Sequence, residues 1–111
     1  MITTHVLDIA RGTPAAGIDV ILEMRGTHDW VPVARGTTDA NGRLASLTEG
    51  RAIDPGTYQL VFDLGDYHRS QGVVEPFFPE ANVTFTVRDG SEHYHIPLVV
   101  SPFGYSTYRG T

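Results

Sequence analysis

Short apolar runs rich in Val, Ile, Thr, Tyr and Phe recur along the chain, separated by Gly, Pro, Asn and Asp. Such runs, spaced roughly ten residues apart, are typical of an all-β sandwich or barrel. Only the stretch GDYHRSQGV lacks strand character, and it predicts a short helix after Leu64. We therefore expect an all-β sandwich of about seven or eight strands. The predicted strands are ITTHVLDI, IDVILEM, WVPVARGTT, RLASL, TYQLVFDL, NVTFTVR, YHIPLVV and YSTYR.

The two faces of the first and seventh predicted strands differ in character. Side chains alternate between the faces of a strand. In the first strand, taking Val6 as a core residue directs Thr3, His5 and Leu7 outward. An outer face that mixes imidazoles with apolar residues usually meets another subunit. In HYHIPLVV the predicted core face is Tyr94, Ile96, Leu98 and Val100, and the outer face is His93, His95, Pro97 and Val99.

The five histidines are not equivalent in this pattern. His5 and His95 lie in mid-strand on the mixed outer face, which makes them candidates for chemistry. His28, His68 and His93 are expected to be surface or rim residues with no special task. Arg43 follows the tight turn DANG and opens the short fourth strand.

Composition narrows the classes of function. A chain of 111 residues suits a single domain, and a net charge of −5 argues against a nucleic-acid surface. All eight basic residues are Arg, and Cys is absent, so Schiff-base and thiolate chemistry are excluded. No apolar run is long enough to span a membrane. The opening MITTHVLDIARG reads as a first strand, not a signal peptide, so we expect a cytoplasmic protein.

Four segments together carry a resemblance to a known family: THVLDIARGTPAAGI, TDANGR, FFPEANVTF and HYHIPLVVSPFGYSTYRGT. In order and spacing they resemble the 5-hydroxyisourate hydrolases, the transthyretin-related enzymes of urate (purine) degradation. The resemblance covers residues 1–111 as one domain. The most specific motif is a closing Tyr-Arg-Gly-Ser, which stands here as Tyr108-Arg109-Gly110-Thr111, with Thr in place of the usual Ser.

The resemblance implies a homotetramer, a dimer of dimers, with sites at the dimer–dimer interface and no cofactor or metal. It places the catalytic residues on His5, Arg43 and His95. Substrate-binding residues would be His5, Arg43, Tyr108, Arg109, Gly110 and Thr111, the last four closing the pocket. Arg109 is expected to order this tail more than to perform chemistry.

The implied substrate is 5-hydroxyisourate, a flat oxidised purine whose six-membered ring opens at the C6 carbonyl. The implied product is 2-oxo-4-hydroxy-4-carboxy-5-ureidoimidazoline. Imidazole suits the base that activates water, because its ordinary pKa is about 6.5. The absence of Cys, Lys and a Ser–His–Asp grouping favours direct attack by water over a covalent intermediate. The sequence does not assign the base to His5 or to His95.

Two alternatives belong to other functional classes. A transthyretin-type carrier would use the same sandwich only to hold a small ligand, since fold does not fix function. A zinc-dependent cyclic amide hydrolase would use the two histidines of HYH with His5 as a third ligand. The sequence offers no recognisable carboxylate partners for such ligands.

Overall fold

Two sheets and one helix make up the fold in a computed structural model, which describes all of residues 1–111. The strand segments are rich in β-branched and aromatic residues, and turn-forming residues lie between them, a pattern that favours a β-sandwich. Their bounds are β1 Ile2–Asp8, β2 Thr13–Pro14, β3 Asp19–Arg25, β4 Trp30–Thr37, β5 Arg43–Leu44, β6 Gly56–Asp63, β7 Glu80–Val87, β8 Tyr94–Ser101 and β9 Gly104–Thr107. The helix, α1, spans Leu64–Ser70 and follows β6 directly.

The first sheet has the order β2-β1-β8-β9, with β5 also paired to β1, and the second has the order β4-β3-β6-β7. β1 and β8 are parallel, whereas the other pairs in both sheets are antiparallel. β1 therefore lies between β8 on one side and the short strands β5 and β2 on the other. This central position lets β1 bring together side chains that are distant in the sequence.

The core lies between the sheets and follows the predicted alternation of faces. On β8 the predicted core residues Tyr94, Ile96, Leu98 and Val100 are all buried, and Val6 of β1 is fully buried. On the outer face, His5, Leu7, His95 and Val99 are half-buried. The all-β sandwich with one short helix is thus confirmed.

The sequence-based strand limits need three corrections. β2 was not predicted, because its two residues lie within a Gly- and Pro-rich turn. RLASL forms a ladder only at Arg43 and Leu44. β9 ends at Thr107, so Tyr108 and Arg109 of the predicted strand YSTYR lie beyond it.

The helix α1 begins where Asp63 caps it: the Asp63 carboxylate accepts a hydrogen bond from the Asp66 amide. Tyr67 and His68 point inward, and both are buried. The expectation that His68 is a surface or rim residue was wrong, because a helix that packs on the sheets must bury one of its faces.

Candidate functional site

Three adjacent strands bring the predicted catalytic residues to one outer face of the first sheet. The register pairs His5 of β1 with Arg43 of β5, and Thr3 of β1 with His95 of β8. Thr3 and His5 are two residues apart on one strand, so their side chains share a face. The structure therefore collects His5, Arg43 and His95 from positions that are far apart in the sequence.

The turn before β5 positions both Arg43 and His5. The Asp39 carboxylate accepts hydrogen bonds from the amides of Asn41 (2.8 Å) and Arg43 (3.0 Å), which lowers the pKa of Asp39. Gly42 has φ +74°, and a Cβ there would collide with the Val6 carbonyl oxygen. The turn aims the Asn41 carbonyl at His5, whose Nε2 donates to it at 2.8 Å. A neutral His5 thus has its lone pair on Nδ1.

The guanidinium of Arg43 is free to bind a ligand. The two ion pairs of the chain are Arg69–Asp66 and Arg109–Glu92, and neither involves Arg43. The Arg43 residue is exposed, and its backbone is held by the turn and by β1. A fixed backbone with an unpaired planar cation is suited to carbonyl or oxyanion recognition.

A threonine that sequence reasoning did not select joins two imidazoles. The Oγ1 atom of Thr3 lies 2.8 Å from His93 Nε2 and 2.8 Å from His95 Nδ1. The two rings are 6.2 Å apart between centroids. With Nδ1 engaged by Thr3, His95 keeps Nε2 for other contacts. The alternation of strand faces could have indicated this contact, because Thr3, His93 and His95 were all predicted to face outward.

The surroundings of His95 favour its neutral form. Burial lowers the pKa of His95, and the positive charges of His93, Arg43 and His5 lower it further. A neutral imidazole at physiological pH has a lone pair able to accept a proton. These surroundings suit a proton acceptor.

The closing tail crosses the His95 ring. The amide of Gly110 donates to the His95 carbonyl oxygen at 2.7 Å, and the two residues form an isolated antiparallel bridge. A Cβ at position 110 would lie 2.6 Å from His95 Cδ2 and 3.2 Å from Pro97 Cγ. Glycine is therefore required here by the close approach of the tail to the imidazole.

Arg43, His93 and His95 line a cavity of about 260 Å³, whereas His5 and Gly110 are not among its lining residues. Its lining holds no carboxylate side chain, and its charged or titratable side chains are an arginine and two histidines, which suits a ligand rich in carbonyls. A larger cavity, about 570 Å³, lies on the outer face of the second sheet among Asp19, Asp63 and Glu80, but it contains no imidazole. The smaller cavity is the one that the predicted catalytic residues Arg43 and His95 line. Its lining is Met1, Thr3, Thr4, Arg43, Ala45, His93, His95 and Thr111.

Two predicted tail residues lie elsewhere within the chain. Tyr108 and Arg109 line a groove of about 240 Å³ beside Tyr94 and β7, separate from the histidine cavity. The Arg109 guanidinium stacks 4.6 Å from the Tyr94 ring centroid and lies 3.8 Å from a Glu92 carboxylate oxygen. In one chain, then, Gly110 and Thr111 approach the site, whereas Arg109 anchors the tail.

The remaining histidines differ from one another. His28 is exposed in the loop between β3 and β4. His68 is 2% exposed, and its Nε2 has no hydrogen-bond partner. Burial lowers the pKa of His68, although the nearby Asp8 carboxylate opposes this. No group of three or more His, Cys, Asp or Glu side chains is arranged to hold a metal ion. The three ligands of the zinc alternative, His93, His95 and His5, are therefore not arranged around one metal position within the chain.

The family model described as the HIUase/Transthyretin family matches residues 2–110. The chain belongs to the HIUase/Transthyretin family. It is 46% identical to the 5-hydroxyisourate hydrolase of Deinococcus radiodurans, over 99% of the chain and 95% of that protein. It is 40% identical to the enzyme of the same name from Salmonella dublin, over 100% of the chain and 81% of that protein.

Solved structures of this family match the fold over nearly its full length. The Klebsiella pneumoniae 5-hydroxyisourate hydrolase has a TM-score of 0.85 at 34% identity, covering 99% of the chain and 98% of that structure. Sea bream transthyretin in complex with thyroxine has a TM-score of 0.91 at 32% identity, covering 98% and 93%. Backbone similarity therefore does not separate the two kinds of family member, and the side chains of the site have to do so.

Proposed function

We propose that the protein hydrolyses 5-hydroxyisourate in urate (purine) degradation, opening the six-membered ring to 2-oxo-4-hydroxy-4-carboxy-5-ureidoimidazoline. The observation that carries this proposal is the convergence of His5, Arg43 and His95 on one face, with Gly110 of the tail bonded to His95. The family relatives named as 5-hydroxyisourate hydrolases support the same activity.

Water activation falls to His95 in this proposal. Its Nδ1 is engaged by Thr3, and its lowered pKa keeps the ring neutral at physiological pH. The Nε2 lone pair accepts a proton from a bound water as the water oxygen attacks the C6 carbonyl carbon. The resulting imidazolium then donates the proton to the leaving ring nitrogen as the C–N bond breaks.

Arg43 and His5 support the charge that develops during this attack. The carbonyl oxygen becomes an oxyanion in the tetrahedral intermediate, and a guanidinium whose position is fixed in advance stabilises it. His5 is oriented by its hydrogen bond to the Asn41 carbonyl. Because the chain has neither Cys nor Lys, direct attack by water is favoured over a covalent intermediate.

The assembly proposed is a homotetramer, a dimer of dimers. Leu7 and Val99 are half-buried beside the histidines on the outer face of the first sheet, which gives that face the apolar content of an interface. A partner subunit would close the cavity, and Tyr108 and Arg109 would bear on substrate only through such an arrangement. Closed two-fold symmetry is the usual form of such assemblies.

One ultraviolet assay tests the activity. Freshly made 5-hydroxyisourate decays spontaneously, and the protein is expected to accelerate the loss of its absorbance. An unchanged decay would instead favour a carrier of small ligands. Extended dialysis against a strong chelator is expected to leave the rate unaltered, whereas loss of activity that zinc restores would favour the metal-dependent alternative.

A further inference from the structure

The hydroxyl of Thr3 makes an unusual pair of contacts. Thr3 is 6% exposed as a residue, and both side-chain partners of its hydroxyl are imidazole nitrogens at 2.8 Å. His93, the outer partner, is exposed, whereas His95, the inner partner, is half-buried at the cavity. The proposed water activation uses His95 with its Nδ1 engaged by Thr3, but it does not assign the direction of that hydrogen bond or any task to His93.

A hydroxyl has a single proton, so Thr3 can donate to only one of the two rings. At least one imidazole nitrogen must therefore donate to Thr3 Oγ1. If His95 Nδ1–H donates to Thr3 and Thr3 donates to His93 Nε2, a neutral His95 has an unprotonated Nε2. The opposite direction would place a proton on His95 Nε2 and remove the lone pair from the cavity side.

We propose that Thr3 and His93 are positioning residues that hold neutral His95 with its proton on Nδ1 and its Nε2 lone pair toward the cavity. This inference rests on the proposed function, because a base needs that lone pair. The exposed His93 completes the chain, since its Nε2 accepts from Thr3 while the rest of its ring exchanges protons with solvent. Neither residue needs to touch the substrate for this task.

The tail favours the same arrangement. Gly110 passes within contact distance of His95 Cδ2, the carbon beside Nε2, and its amide is bonded to the His95 carbonyl. The ring is thus held on one edge by the Thr3 hydroxyl and limited on the other by the tail. An imidazole fixed in this way presents one nitrogen to the cavity without rotating.

The direct test is nitrogen NMR of histidine-labelled protein at neutral pH. His95 in the parent is expected to be protonated at Nδ1 and unprotonated at Nε2. Thr3→Val keeps the β-branched shape but removes the hydroxyl, and it is expected to mix or reverse the tautomer. A parent His95 protonated at Nε2, or a tautomer unchanged by Thr3→Val, would overturn the proposal.

Kinetics give an independent readout. Thr3→Val and His93→Ala are expected to lower kcat about ten- to a hundredfold with KM nearly unchanged, and to shift the acid limb of the pH profile. Thr3→Ser and His93→Gln, which keep a hydroxyl and a hydrogen-bonding group, should restore most of kcat. If KM rises instead while kcat holds, the two residues bind substrate and do not position His95.

A matched control is available in the other sheet. Thr37 Oγ1 donates to the Asp19 carboxylate at 2.7 Å, so Thr37→Val also removes a threonine hydroxyl bonded to a titratable side chain. It is expected to leave both the tautomer and kcat unchanged. Should the parent itself fail to hydrolyse 5-hydroxyisourate, the proposed function falls, while the NMR result still decides the tautomer.

Discussion

Each end of β1 buries a polar side chain near a histidine, but the two histidines differ in their access to a cavity. At the start of the strand, the Thr3 hydroxyl lies between two imidazoles that both line the cavity. At its end, the Asp8 carboxylate accepts from the amides of Ala10 and Arg11 and from the Tyr67 hydroxyl at 2.6 Å, beneath α1.

The difference lies in access to a cavity. Burial lowers the pKa of both His95 and His68, so a perturbed pKa by itself does not identify a functional residue. His95 has one nitrogen anchored and lies against an open cavity. His68 is enclosed, and its Nε2 has no partner. The first arrangement suits proton transfer, whereas the second is expected to affect stability alone.

Replacing His95, the histidine beside the cavity, should have the largest effect on activity. His95→Asn is expected to cut turnover by on the order of a hundredfold or more, the usual contribution of general acid–base catalysis. The fold and assembly should persist, because His95 lies off the core face. Steady-state rates with 5-hydroxyisourate measure turnover, and size-exclusion chromatography measures assembly. His5→Asn should behave similarly, and the exposed His28→Asn should match the parent. Activity within about threefold of the parent would remove His95 from the mechanism.

Disturbing the tail over His95 should have the next largest effect. Gly110→Ala places a methyl group against His95 Cδ2, so either the tail or the ring must move. We expect a loss of about tenfold or more in kcat/KM, and deletion of Tyr108–Thr111 should abolish most activity with only a modest fall in Tm. Thr111→Ser, the matched control, should retain activity. A truncated protein with the parental rate would show that the tail is not part of the site.

Replacing His68, the enclosed histidine near the end of β1, should change the stability of the protein and not its rate. Because the pKa of His68 is lowered in the folded state, the unfolded chain binds the proton more readily below the ordinary pKa of about 6.5. Its contribution to stability is therefore intact above that pH and declines as the pH falls, by at most about 1.4 kcal/mol per pH unit. His68→Leu should flatten this dependence in chemical denaturation between roughly pH 5 and 7, with kcat unchanged. An unaltered slope would contradict the assignment.

Replacing Arg109, which anchors the tail, should have the smallest effect on stability and rate. The Arg109–Glu92 pair is solvent-exposed, and such pairs stabilise by about 0–1 kcal/mol. The stacking of Arg109 on Tyr94 adds a contribution of similar size. Arg109→Ala is therefore expected to lower Tm by a few degrees at most, with a rate loss smaller than that of Gly110→Ala. A loss as large as that of His95→Asn would assign Arg109 to direct chemistry.

Much of the site followed from the sequence because strand periodicity is a local property. The alternation of faces placed His5 and His95 on the outer side, and the turn DANG placed Arg43 at the start of a strand. The contact of Thr3 with both imidazoles was not predicted. It depends on the register of the parallel β1–β8 pair, which joins residues more than 90 positions apart.

The error over the burial of His68 has an equally specific cause. Parity does not apply to a helix, so the burial of His68 depends on how α1 packs against the end of β1. The tail motif was predicted to close the pocket as a unit. Within one chain, Tyr108 and Arg109 are turned toward the groove beside Tyr94, and their contact with substrate stays a prediction that depends on the proposed assembly. That division arises because β9 ends at Thr107 and the chain then bridges to His95 only at Gly110.

The parallel pairing of β1 with β8 has a consequence for how the protein acquires its activity. Thr3 and His95 are separated by 92 positions, so their contact is among the most non-local in the chain. Closing so long a loop is entropically unfavourable until the intervening strands have ordered, and folds dominated by such contacts form slowly. During synthesis, a nascent chain could order its second sheet while still lacking a working catalytic centre. The residues of the proposed site would come together only when β8 emerges from the ribosome and docks on β1, which is synthesised earlier.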